Sequence, residues 1–246
     1  MYLAYIAPHF PLQARPEVIE KYWGKYSEGY EYYPDERFQK QKELGVVHKN
    51  TILFPAEFKT WEKVDNKQEE DLKMAVYAAQ VDRMDQNIGR LVKELKDMEI
   101  LDNTFILFLS DNGAGYVDIN DTPYAEIGTR NSWVSYGWNW GNVSITPYRY
   151  YKAFAHDGGI IIPLIIHWSN GIKNKGLISL QPVHIIDIMS ILLSLVKTTY
   201  PQTFDNEKLV PITGKSILPL INGGKQDPEK VMFWEHEGNK AVRIGE

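Results

Sequence analysis

The chain has 246 residues, 43% of them hydrophobic and 24% charged, with a formal net charge of -5, a composition that excludes disorder and fibrous structure. The absence of cysteine excludes thiol catalysis, zinc–thiolate sites and iron–sulfur clusters. The basic residues are scattered through an acidic chain with no stripe to follow a phosphate backbone, which argues against nucleic-acid binding.

Read in chain order, Tyr2–Ala7 is apolar and β-prone and predicts a buried strand that ends at Pro8-His9. No basic segment precedes it and no cleavage site follows, so it is not a signal peptide. Residues 10–66 are charged and aromatic with Pro and Gly punctuation, and predict short helices and surface loops. Glu69–Met98 is the clearest helix. Leu72, Val76, Ala79, Met84, Ile88, Leu91 and Leu95 fall on one stripe expected to face the core, and Asp65 or Asn66 stands ready to cap it. Thr104–Leu109 is a continuous β-branched and aromatic run, which fits a parallel strand covered on both faces.

Ser110-Asp111-Asn112-Gly113 follows that strand, and Gly115–Arg149 then runs without periodicity, the mark of a long functional loop. Asp157-Gly158-Gly159 reads as a turn into a buried strand over Ile160–Trp168. Val183–Val196 is the best candidate for a membrane span, but it is short and carries His184 and Asp187, so His184–Val196 reads as a buried helix. Pro201–Pro228 is loop with a short helical stretch at most. Val231–Glu235 and Lys240–Ile244 read as strands around the turn at Gly238-Asn239.

The alternation predicts an α/β fold, a mostly parallel sheet sandwiched by helices, with the start of a small C-terminal antiparallel sheet. Residues 1–228 form the main domain and 229–246 begin a second, smaller one. A bare strand at one end and a lone hairpin at the other, marginal by itself, predict a piece of something longer.

Ligands of open α/β sheets bind at the carboxyl ends of the strands, and three polar clusters sit there. Asp111 and Asn112 offer a carboxylate and an amide oxygen, hard donors of the kind calcium or magnesium prefers; Asp-Asn-Gly is equally an ordinary strand-end turn. His9, stiffened by Pro8 and Pro11, reads as an anion or proton donor or as a structural histidine bonded to a carbonyl. Lys152, among aromatics and before Gly158-Gly159, reads as an oxyanion partner or as a snorkelling surface lysine.

Taken together these segments resemble the type I sulfatases, the arylsulfatase-like branch of the alkaline phosphatase superfamily. Tyr2–Pro11 is similar to the family strand leading to an active-site histidine, Tyr77–Arg90 to its helix, Asp102–Gly113 to its metal strand. Asn142–Arg149 with Lys152 and Asp157-Gly158-Gly159 follows the family order, and Trp234–Arg243 looks like the start of its small C-terminal sheet. The resemblance implies sulfate ester hydrolysis, with Asp111 and Asn112 as Ca2+ ligands, His9 binding the sulfate and helping to protonate the leaving alcohol, and Lys152 neutralising sulfate oxygens.

The family nucleophile, a formylglycine made from Cys or Ser in Cys/Ser-x-Pro-x-Arg, has no counterpart here, nor have the family's aspartate pair, Lys-x-His and motif arginine. The resemblance therefore implies the C-terminal portion of a catalytic domain: an incomplete Ca2+ site, no turnover by the chain alone, and the missing N-terminal half as partner. It further implies a sulfated small molecule or glycan as substrate, no nucleic acid and no membrane span, and a periplasmic or extracellular setting. The alternatives are a metal-dependent phosphodiesterase or phosphotransferase of the same superfamily, disfavoured because Asn112 stands where such relatives carry a histidine, and a non-catalytic remnant that binds sulfated glycans.

Overall fold

The computed structural model describes residues 1–55, 57 and 59–245, which divide into two compact units, Met1–His167 and Trp168–Glu246. In the first, the order is α1 (Pro16–Ile19), α2 (Tyr32–Leu44), a 3-10 turn at Trp61–Lys63, α3 (Lys67–Asp97), β1 (Ile106–Leu109), α4 (Gly137–Ser144), α5 (Asp157–Ile160) and β2 (Leu164–His167). In the second it is α6 (Asp187–Leu195), the short pair β3 (Thr203–Phe204) and β4 (Glu207–Lys208), α7 (Leu218–Ile221), β5 (Val231–His236) and β6 (Asn239–Ile244). No helix among the described residues is long and apolar enough to cross a membrane.

Helix α3 organises the first unit. Asn66 caps it, its Oδ1 accepting from the Glu69 amide at 3.1 Å. Glu69 and Glu70 sit in the first turn, where the helix dipole favours negative charge, and both pair with Lys73, at 3.2 and 2.7 Å. Its Ala75, Val76 and Ala79 pack with Leu12, Val18 and Ile19 into one cluster, and Met74 joins Tyr30, Trp140 and Val143 in another. Polar groups on the same stretch reach out to the loops. Buried Asp71 accepts from the Gly24 and Tyr26 amides, both at 2.7 Å, Glu70 accepts from the Tyr30 hydroxyl at 2.6 Å, and Gln80 donates to the Pro11 carbonyl at 3.1 Å. Burial and the facing Glu70 push the Tyr30 phenol far up, so it donates at any ordinary pH.

The apolar stripe was expected to be core along its whole length. Burial is confined to Asp71–Gln80; Met84, Ile88, Leu91 and Leu95 are only half-buried. Periodicity identifies the apolar face of a helix and not what covers it. Two further expectations give way. Tyr2–Ala7 is no buried strand: it pairs with nothing among the described residues, and Tyr2 and Ile6 are 90% and 81% exposed. The run Ile160–Trp168, expected as a buried strand, begins on the last residue of a helical turn, Asp157–Ile160, and holds a strand of only four residues, Leu164–His167, in which Ile165 is 59% exposed. An apolar β-branched run gives the propensity for extended backbone, but a ladder also needs a neighbour.

The α/β class holds, as does the small antiparallel sheet at the C-terminus, where Val231–His236 pairs with Asn239–Ile244 as the turn at Gly238 required. The register seen in the central sheet is antiparallel, Ile106 opposite His167 and Leu109 opposite Leu164. A continuous apolar run reports cover on both faces and is blind to strand direction. Gly115–Arg149, expected as loop throughout, contains α4, whose Trp140 is fully buried.

The second unit is held by one carboxylate. Asp187, in the first turn of α6 and 1% exposed, accepts from the Lys215 amide on Oδ1 at 2.8 Å and from the His184 amide on Oδ2 at 2.9 Å. Its Oδ2 also pairs with the ammonium of Lys230, itself buried, just ahead of β5. One side chain thus ties the start of α6 to the 214–216 strap and the C-terminal hairpin. Burial, with Lys230 close by, lowers His184 below the ordinary imidazole range against the opposite pull of Asp187.

Removing one partner of a buried, hydrogen-bonded ion pair strands the other charge. Lys230→Met is therefore expected to cost about 3–5 kcal/mol, read as lost amide-exchange protection across α6, β5 and β6. A loss under about 1 kcal/mol would show that Asp187 does not need this ammonium.

Candidate active site

The candidate site grows out of the end of β1. After Leu109 the chain leaves extended geometry, with the Ser110 hydroxyl donating to the Asn112 carbonyl at 3.0 Å. The next residue, Gly113, lies on the backbone of α5: its amide donates to the Gly159 carbonyl at 3.0 Å. Two more backbone bonds complete the knot, from the Lys152 amide to the Ala114 carbonyl at 3.0 Å and from the Gly158 amide to the Arg149 carbonyl at 2.9 Å.

This proximity is possible only without side chains. A Cβ on Gly113 would stand 1.8 Å from the Gly158 carbonyl oxygen, one on Gly158 1.9 Å from the Tyr150 oxygen, and one on Gly159 2.1 Å from the Phe154 oxygen. The three glycines are demanded by backbone lying on backbone. Their consequence is that Asp111-Asn112 and Lys152, forty residues apart in the chain, emerge from one knot.

Lys152 is held from both sides. Tyr150 and Ala153 both have left-handed backbone, φ 59° and 78°, a conformation that costs an ordinary residue about 1–3 kcal/mol and clusters where surrounding structure imposes a geometry. The imposition here is aromatic. Tyr116 stacks on Tyr151 at 5.4 Å and meets Phe154 edge-on at 6.0 Å, Tyr150 stacks on Phe154 at 4.9 Å, and His156 meets Tyr150 edge-on at 4.5 Å. Tyr151 is buried, and that burial pushes its phenol above the ordinary range. Lys152 and Asp111 are exposed, and Asn112 is half-buried.

His9 is exposed in the N-terminal segment. Its Nδ1 lies 2.7 Å from the Phe10 carbonyl; a carbonyl only accepts, so Nδ1 carries the proton and Nε2 is the nitrogen left for a ligand. The chain just beyond is clamped. Leu12 donates to the Val134 carbonyl at 2.9 Å, Ala14 to the Gly128 carbonyl at 3.0 Å, and the Gln13 amide group to the Ser132 carbonyl at 2.8 Å. The buried Ser132 hydroxyl accepts from the Gly128 amide and lies 3.1 Å from the Leu12 carbonyl and 2.9 Å from the Thr129 carbonyl.

Asp111, Asn112 and Lys152 are thus brought together, while no hydrogen bond, ion pair or ring contact among the described residues joins His9 to them. Sequence reading passed over Ser132 and Gln80, which hold the His9 segment; a lone serine in a loop and a glutamine at the edge of an apolar stripe carry no signal of their own.

Among the described residues no group of three or more His, Asp or Glu side chains converges on one point. What the knot offers is the Asp111 carboxylate and the Asn112 amide oxygen. These fit a hard cation in kind and fall short of the about six to eight oxygens that calcium takes.

A sulfatase family model matches residues 1–198. The chain belongs to the sulfatase family. It is 35% identical to an uncharacterized sulfatase of Schizosaccharomyces pombe, over 99% of this chain and 48% of that protein. It is 33% identical to an arylsulfatase of Klebsiella aerogenes, over 89% of this chain and 50% of that protein. Among solved structures it is similar to a protein in complex with its substrate D-glucosamine-2-N,6-O-disulfate, at 20% identity and a TM-score of 0.45, covering 95% of this chain and 42% of the other. The sulfatase chain spans about half the length of the curated relatives it matches.

In this sulfatase chain, Gly158→Ala is expected to open the knot at a cost of about 3 kcal/mol, seen as faster amide exchange at Gly113, Lys152 and Gly159. Gly89, inside α3 with nothing within 4 Å of an added Cβ, is the control: Gly89→Ala should stabilise by about 0.5–1 kcal/mol. Equal, small effects at the two positions would contradict the backbone-contact reading.

Proposed function

We propose that this chain supplies the cation-binding and anion-binding rim of a sulfate ester hydrolase. The observation that supports the reading is the pair of main-chain bonds from Gly113 to Gly159 and from Lys152 to Ala114, which join the segment that carries Asp111 and Asn112 to the one that carries Lys152, in a chain that belongs to the sulfatase family.

In this reading Asp111 and Asn112 hold Ca2+ as two of its ligands; the ion, when bound, draws negative charge off a sulfate oxygen. Lys152 places its ammonium against the sulfate and strengthens its hold as charge builds on the oxygens, the differential stabilisation that lowers a barrier. Aromatic packing of its neighbours fixes the backbone from which that side chain extends. His9, with Nδ1–H committed to the Phe10 carbonyl, presents Nε2; as imidazolium it donates there, first to the sulfate and then to the departing alkoxide, which leaves as the neutral alcohol. The substrate is a sulfated small molecule or glycan.

The same reading limits the chain. It contains no cysteine and no Ser-x-Pro-x-Arg, so no residue in it can become the formylglycine nucleophile, and no attack on sulfur is assigned to it. The purified 246-residue chain with saturating Ca2+ is expected to hydrolyse 4-nitrophenyl sulfate no faster than buffer. Turnover that is abolished by Lys152→Met would show that the chain holds a nucleophile of its own and would overturn this division of labour.

A further inference from the structure

Helix α6 is entered through a histidine. His184 closes the turn ahead of it, its carbonyl accepting from the Asp187 amide at 2.9 Å. Its ring folds back on the same turn, where Nδ1 accepts from the Ile186 amide at 3.3 Å. An amide only donates, so this Nδ1 carries no hydrogen, and the neutral ring keeps its proton on Nε2. Asp187 answers from three residues on, its Oδ2 accepting from the His184 amide at 2.9 Å. The exchange has the form of a capping box, with an imidazole nitrogen in place of the usual hydroxyl. A hydroxyl caps at any pH. An imidazole caps only while it is unprotonated.

Three groups face the ring: the Asp187 carboxylate from α6, the Lys230 ammonium ahead of β5, and the Trp234 ring of β5, its centroid 5.6 Å away. The carboxylate and the aromatic face each favour a cation. That carboxylate is already committed, however, Oδ2 to the buried Lys230 ammonium and Oδ1 to the Lys215 amide. A proton on Nδ1 would meet the Ile186 N–H head on. It would also set a second positive charge near Lys230, at the positive end of the α6 dipole. Half-burial adds a desolvation penalty and still leaves the ring a path to solvent. The balance lowers His184 below the ordinary imidazole range. The folded chain thus keeps the ring neutral, and the opened chain takes up a proton more readily. Stability from this contact is complete above about pH 6.5 and is lost as the pH falls below it.

We infer that His184 is a proton-operated latch on the second unit: neutral, it closes the turn into α6 and steadies Asp187; protonated, it lets go, and α6, the 214–216 strap and the C-terminal hairpin loosen together. The latch uses none of the residues assigned to the sulfate site.

The test follows amide exchange by NMR in the 246-residue chain at about pH 7.5 and about pH 5, corrected for the intrinsic pH dependence of exchange, a window above the titration of ordinary carboxylates. The amides of His184, Ile186 and Lys215 and those of β5 are expected to exchange about fivefold faster at the lower pH, the size of one lost cap. In His184→Asn, whose amide oxygen caps without titrating, that acceleration should vanish while protection at the higher pH is kept. The other histidine of this unit, His236, lies exposed at the hairpin turn 3.8 Å from Glu237, and it is still present in that variant.

An acceleration that persists in His184→Asn belongs to another group and overturns the latch, as does its absence from the unaltered chain. Should His184→Asn lose protection already at the higher pH, the ring of the unaltered chain decides. Its 15N shifts are expected to show hydrogen on Nε2 and not on Nδ1, with a titration midpoint below about 6.5. Hydrogen on Nδ1 in the neutral ring, or a midpoint at or above that value, overturns the inference.

Discussion

Three glycines lying backbone against backbone carry the arrangement of the candidate site. Gly113 leaves the end of β1 and lies on Gly158 and Gly159 so closely that any Cβ would enter a carbonyl oxygen of the facing chain. Each hydrogen bond of the knot runs between main-chain atoms, so the site is positioned by the path of the chain and not by the rotamers of long side chains. That economy has a physical reason. A cation and an anion held side by side need fixed donors and charges at short range, and backbone contacts lose less freedom on ordering than salt bridges between flexible side chains. The aromatic layer around Tyr150, Tyr151 and Phe154 then accommodates two left-handed residues that would otherwise relax.

The side of the molecule that carries His9 is built differently. There the N-terminal half of α3 supplies both the apolar packing and the polar anchors, Asp71 and Glu70 for the 24–30 segment and Gln80 for Pro11, while the 128–134 loop grips residues 12–14 through its carbonyls and through Ser132. Hydrophobic stabilisation in this unit is concentrated in the two clusters around that half of α3. Beyond Gln80 the helix continues on local terms, its apolar stripe half-covered, and Tyr2–Ile6 and Ile165 leave apolar surface in solvent. Apolar side chains left in water forgo about 25 cal/mol per Å2 of potential stabilisation, so these faces are the weakly held parts of the unit.

Much of this was legible in the amino-acid order. The α3 stripe, the Asn66 cap, the hairpin around Gly238 and the α/β class follow from periods, caps and turn residues, all of them local. What failed was what depends on a distant neighbour. Tyr2–Ala7 has the composition of a strand but no ladder; Met84 to Leu95 have the period of a core face but little cover; the antiparallel register of β1 with β2 leaves no trace in either run. At the site, Asp111, Asn112 and Lys152 could be picked out as chemistry at strand ends, and the family resemblance gave them roles. Their common knot, and the need for glycine at three positions to form it, is a tertiary fact. So is the grip of Ser132 and Gln80 on the His9 segment.

The central claim is that the Asp111-Asn112 corner and the Lys152–Gly159 segment share one rim. The absence of cysteine allows a single, clean label. A nitroxide on Ser110→Cys, in 15N-labelled chain, reports by paramagnetic broadening on every amide within about 20 Å. The account predicts strong loss of signal at Asn112, Gly113, Lys152, Gly158 and Gly159 together, recovered on reduction of the label. Full-intensity amides at Lys152, Gly158 and Gly159 beside a broadened Asn112 would show that the two segments do not meet.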